Sequence, residues 1–131
     1  MSKITVGTTR EETVLVTSEV ATDFLGMEEA RVLATPWMIL WMERTSRQAV
    51  YPLLEEGYDT VGTEVHVKHL AATPVGMSVT FRSEVIAVDD RRLTFKVEAW
   101  NEKEKIGEGT HERVIINVAK FAARLLAKNN S

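Results

Sequence analysis

Thr35-Pro36-Trp37-Met38-Ile39-Leu40-Trp41-Met42 sets the architecture of this chain. Threonine suits a helix cap, and proline suits the first helical position, where its missing N–H would be unpaired anyway. The six residues from Trp37 to Met42 are apolar on every side for nearly two turns, a pattern that a water-facing helix does not carry. The helix is therefore expected to be enclosed by other elements. Its polar continuation, residues 43–48, should emerge toward solvent, with Pro52 and Gly57 closing it.

Working outward, the period changes after Gly57. Thr63, Val65, Val67 and His69 share one strand face and Glu64, His66 and Lys68 the other. Residues 71–76 read as a loop. Val79, Phe81, Ser83, Val85 and Ala87 alternate with polar and apolar neighbours, and residues 89–92 form a turn. Leu93, Phe95, Val97 and Ala99 continue the pattern, and a second turn spans residues 101–103. The last strand covers about residues 105–117, with Gly107 and Gly109 marking bulges or bends. A weaker strand signal occupies residues 12–20, and residues 118–128 read as an amphipathic helix. The order is strand, helix, four strands, helix. Short connections make the sheet an antiparallel meander, and only the buried helix is large enough to be covered by its apolar face. The expected class is α+β, one long helix wrapped by a curved antiparallel sheet of about five strands.

Nothing suggests a second domain: the 131 residues contain no repeat and no linker, so 1–131 is read as one unit. The net charge of -3 argues against a general nucleic-acid or anionic-membrane binder. Cysteine is absent, which excludes disulfides, thiolate metal sites and a cysteine nucleophile and fits the cytoplasm. The longest apolar run, 36–42, falls far short of the roughly 20 residues that span a bilayer. No signal peptide is legible at the amino terminus. The histidines at 66, 69 and 111 lack zinc-site spacing, so no metal is expected. Phosphate-cradling glycine motifs and a GxSxG elbow are likewise missing.

Two stretches carry a resemblance. Val61-Gly62-Thr63-Glu64-Val65-His66-Val67-Lys68-His69, followed by Leu70-Ala71-Ala72-Thr73-Pro74-Val75-Gly76, resembles the helix-following strand and loop of the fluoroacetyl-CoA thioesterase-like branch of the hotdog superfamily. Gly107-Glu108-Gly109-Thr110-His111-Glu112-Arg113 resembles that branch's final strand, and Ala34-Thr35 with Met42-Glu43 fits its central helix. The similarity runs over about residues 32–121. It implies a hotdog fold and hydrolysis of a short or medium acyl-CoA at a dimer interface, with no metal or organic cofactor. It also implies Thr35, Glu43 and His69 as the catalytic group, Gly62 as a backbone N–H donor to the thioester carbonyl, and Arg113 as a further substrate-site residue. Residues 22–32 hold only Phe24 where that branch has a phenylalanine-bearing lid, so fluoroacetyl-CoA itself is not carried over.

Each residue has a plainer reading. His69 is either a general base or a core histidine satisfied by a carbonyl. Glu43 either faces the pocket or forms an exposed i,i+4 pair with Arg47. Thr35 either acts on substrate or caps its helix. About 12 Å separates it from Glu43 along a straight helix, so the two cannot touch. Gly62 either offers an oxyanion-hole amide or lets the chain bend. Arg113 contacts Glu43, Glu112 or a CoA phosphate, and His66 and His111 are read as structural. A homodimer is expected because hotdog sheets have open edges, with a tetramer left open. The alternative to a thioesterase is a non-catalytic dimer that holds an acyl-CoA or another apolar ligand.

Overall fold

In the computed structural model, which describes residues 3–130, the helix starting at Thr35 runs across one five-stranded antiparallel sheet. The elements are β1 (Thr9–Leu15), α1 (Thr35–Val50), β2 (Tyr58–His69), β3 (Ser78–Asp89), β4 (Arg92–Trp100), β5 (Lys105–Asn117) and α2 (Val118–Asn129). Strand order is β1-β3-β4-β5-β2, so β1 and β2 are the two edges.

The alternation in β3 and β4 delivers its inward set as expected. Val79, Phe81, Ser83 and Val85, then Leu93, Phe95, Val97 and Ala99, are all buried beneath α1. Ala87 falls outside that set: a register shift between Val85 and Ala87 turns it out to solvent. The β3–β4 turn is two residues long, Asp90-Arg91, with Asp90 at φ 55, a left-handed conformation that aspartate tolerates. At the β4–β5 turn the Asn101 side chain accepts from the backbone N–H groups of Lys103 and Glu104 (2.8 and 2.9 Å).

Three expectations change. α1 is not enclosed on all sides within one chain; its buried residues are Met38, Met42, Thr45, Ser46, Ala49 and Val50, a single stripe, while Trp37 is 38% exposed. Its second half sinks into the core rather than emerging. Thr45 and Ser46 are fully buried because their hydroxyls donate back to the carbonyls of Trp41 and Met42 (both 2.8 Å), and Ser46 shares a further 2.8 Å bond with Ser83. β1 starts earlier than read and stops at Leu15, because the partner strand β3 starts at Ser78. Val16 continues the contact by bonding the loop at Gly76 and Met77, and a single 3-10 turn at Ser18–Val20 follows. Gly107 does mark an irregularity, the β4–β5 register shifting between Ala99 and Trp100 beside it; a Cβ there would also lie 2.7 Å from Met38 Sδ, so its lack of a side chain lets α1 approach β5. The terminal helix α2 forms, capped by Asn117 accepting from the Lys120 N–H at 3.0 Å, yet buries no residue.

Candidate active site

Two clusters of polar side chains form where α1 meets β2. The first is built by the segment ahead of α1, which is tied to the loop after β2. The Leu33 N–H donates to the Thr73 carbonyl (2.8 Å), and Val32 bridges Pro74. This join carries Thr35 to the end of β2, where its Oγ1 lies 2.8 Å from His69 Nδ1. Thr35 is thus no cap. Ala34 occupies that position and Thr35 makes no capping bond, leaving its hydroxyl to the imidazole. His69 Nε2 is buried and has no hydrogen-bond partner among the described residues. Burial pushes the imidazole below its ordinary 6.5, the backbone at Ala71 opposing in part. The pair opens on a cavity of about 390 Å³ with apolar walls from Phe24, Val32, Leu33, Leu70 and Ala71.

The second cluster gathers Glu43, Gly62 and Arg113 with a residue read from sequence as structural, His111. Glu43 Oε1 lies 3.8 Å from Arg113 Nη1. A Cβ on Gly62 would come within 2.8 Å of that same oxygen, so glycine leaves the carboxylate its room. The backbone also shifts register between Gly62 and Glu64. The bend read from sequence at Gly62 is thus present. Arg113 donates from Nε to Thr60 Oγ1 (2.7 Å) and from Nη2 to the Thr60 carbonyl (2.9 Å), and its Nη1 lies 3.1 Å from His111 Nε2. Burial holds the guanidinium below its ordinary pKa, against the attraction of Glu43 and Asp59. Thr60 is itself fixed by its neighbour: the Asp59 carboxylate accepts from the Thr60 N–H (2.7 Å) and takes a two-pronged bond from Arg47 (2.9 and 2.6 Å). Arg47 thus pairs with Asp59 rather than Glu43, and Arg113 with Glu43, while Glu112 faces Arg92.

Within one chain the two clusters stay apart. Glu43 and His69 do not meet, because Gly62 and His69 stand about 23 Å apart along β2 at the usual rise per residue. The sequence placed all five residues near α1 and β2 but missed Thr60, Asp59 and His111. His111 carried a usable signal, since it precedes Arg113 by one strand period. Thr60 required knowing that β2 pairs with β5 so that Thr60 faces Ile115 and Gly62 faces Arg113.

A long helix laid across one curved antiparallel sheet defines the hotdog class. The model of the fluoroacetyl-CoA-specific thioesterase family matches residues 16–119, and the chain belongs to that family. The fluoroacetyl-CoA thioesterase of Streptantibioticus cattleyicolor is 42% identical over 101 residues, covering 77% of this chain and 73% of that protein. A solved structure of the fluoroacetyl-CoA thioesterase FlK superposes with TM-score 0.86 at 35% identity, covering 95% of this chain and 97% of its own. A thioesterase superfamily member from Thermus thermophilus gives 0.89 at 32% identity, covering 99% and 96%. The protein is an acyl-CoA thioesterase by this membership, which sets aside the non-catalytic reading. Among the described residues no helix is long and apolar enough to cross a membrane.

Proposed function

We propose that this thioesterase is a single-domain homodimer whose site is completed between protomers, Thr35 and His69 coming from one and Glu43, Gly62 and Arg113 from the other. The observation that carries this reading is the edge strand β2, which runs past both clusters and leaves Gly62, Thr63, Glu64, Val65 and His66 exposed. An uncovered row of backbone N–H and C=O groups favours pairing with a second edge. A two-fold axis makes that pairing antiparallel, β2 against its copy. A register setting Val65 beside His66 of the partner subunit sets Gly62 beside His69 of the partner subunit. The two half-sites then face each other across one acyl pocket.

In the chemistry we propose, His69 is neutral and its Nδ1 accepts the Thr35 proton, making the hydroxyl the nucleophile toward the thioester carbonyl. The Gly62 N–H donates to the developing oxyanion. CoA leaves as the thiol, and water, activated by Glu43, frees the acid. Arg113 supplies positive charge beside that carboxylate and the substrate. The cavity at Thr35 and His69 has apolar walls, which suits a short or medium acyl group. The reaction is set in the cytoplasm and uses no metal or organic cofactor.

The test is complementation, read as free-thiol release from a panel of acyl-CoAs. His69→Ala and Glu43→Ala are each expected to be inactive as homodimers. Refolded together, the mixed dimers keep one intact site, so about a quarter of wild-type activity should return under random pairing. No recovery, with mixed dimers demonstrated, would place each site within a single chain.

A further inference from the structure

We infer that His111 is a positioning residue that holds the Arg113 guanidinium away from Glu43, keeping the carboxylate available for chemistry. The inference rests on the reading of Glu43 and Arg113 as site residues and extends it to a histidine outside that set.

His111 is buried on β5, stacked on Phe95 with ring centroids 6.2 Å apart. Its Nδ1 lies 2.8 Å from the Glu64 carbonyl oxygen, which can only accept, so the proton sits on Nδ1. Nε2 of the neutral ring therefore presents a lone pair, and Arg113 Nη1 donates to it at 3.1 Å. These two bonds fix both the tautomer and the charge of the imidazole, since a proton on Nε2 would oppose the guanidinium N–H.

The consequence falls on Arg113. Of the five donors a guanidinium carries, Thr60 takes two and His111 a third. What remains for Glu43 is a single approach of 3.8 Å, beyond hydrogen-bond length and unlike the two-pronged pair of Arg47 with Asp59. With His111 removed, Nη1 loses its acceptor, and the adjacent acceptor is Glu43 Oε1. A short charge-assisted bond would then occupy the lone pair that activates water.

The experiment compares His111→Leu, which fills the space without an acceptor, with His111→Gln, whose amide offers both an acceptor and a donor. The leucine variant should lose about tenfold or more in kcat with KM little changed, and the glutamine variant should recover most of that loss. Placed on an Arg113→Ala background, His111→Leu should cost nothing further. Equal impairment of the two variants, or a full additional loss on that background, overturns the inference and assigns His111 to packing alone. Wild-type turnover in Glu43→Gln or Arg113→Ala would instead remove the site reading and the inference with it. Should His111→Leu fail to fold, nitrogen NMR of the wild-type ring decides. An Nδ1–H tautomer at neutral pH is required, and an Nε2–H or doubly protonated ring overturns the inference.

Discussion

The two clusters proposed as halves of one site are built on opposite principles. The Thr35–His69 pair rests on one side-chain bond beside a cavity, with Thr35 exposed and one imidazole nitrogen unpartnered among the described residues. The Arg113 cluster is over-determined: Thr60, His111 and Glu43 surround the guanidinium, and Arg47 with Asp59 braces Thr60 from behind. Loosely held groups are free to move protons. A buried charge needs every partner it has, because each missing one leaves a desolvated donor. Damage to the first half should therefore cost rate without stability, and damage to the second should cost both.

The sharpest cut is His69→Ala. We expect kcat to fall by about two orders of magnitude or more, the usual loss for a general base, with the melting temperature nearly unchanged. A variant that kept its rate would end the distinction between the halves. Gly62→Ala is next. Its methyl carbon would sit 2.8 Å from Glu43 Oε1, and displacing that carboxylate should cost about tenfold in kcat/KM alongside a measurable drop in melting temperature. Thr60→Val then probes the brace alone. It leaves the Nε donor of Arg113 buried and unpaired, a loss of about 1–3 kcal/mol by denaturant unfolding.

The pH dependence follows from both clusters. Burial lowers the folded pKa of His69 and of His111 below 6.5, so the unfolded chain binds more protons just under that value. Their contribution to stability is thus complete above pH 6.5 and is lost as pH falls from there through the folded values. Melting temperatures across pH 5–8 check the sign, and the acid limb of kcat/KM should lie below 6.5 because His69 must stay neutral. Ser46→Ala is the smallest effect, about 1 kcal/mol for a hydrogen bond that belongs to neither cluster.

Much of this was legible in the sequence because strand alternation and the Thr35-Pro36 start are local signals. β3, β4 and their turn follow from period two, and α1 begins one residue ahead of the start its proline marks. The enclosure of α1 was overestimated, since an apolar run does not say which neighbours belong to the same chain. Trp37 and Leu40 are the residues that mislead there, being apolar yet outside the buried stripe. The buried second half of α1 was missed because threonine and serine read as polar, whereas in a helix their hydroxyls can be satisfied by the preceding turn. In the site, Thr35 and His69 meet through the Leu33–Thr73 join, a tertiary contact that no spacing encodes. Asp59 and Thr60 carry no motif and matter only through what they hold.

The Ser46–Ser83 bond has a consequence for the whole of the proposed catalytic arrangement. An apolar helix on an apolar sheet could settle at neighbouring positions along its axis, since oil on oil has little directional preference. One shared hydroxyl contact at mid-helix acts as an index mark. A slip by a single helical turn, about 5.4 Å, would strand the buried Ser83 hydroxyl, because Ser46 keeps only its own bond to Met42, and would simultaneously draw Thr35 off His69 and Glu43 off Gly62. That interlock ties the spacing of both half-sites to one point in the core, so the helix serves as the ruler from which each is set.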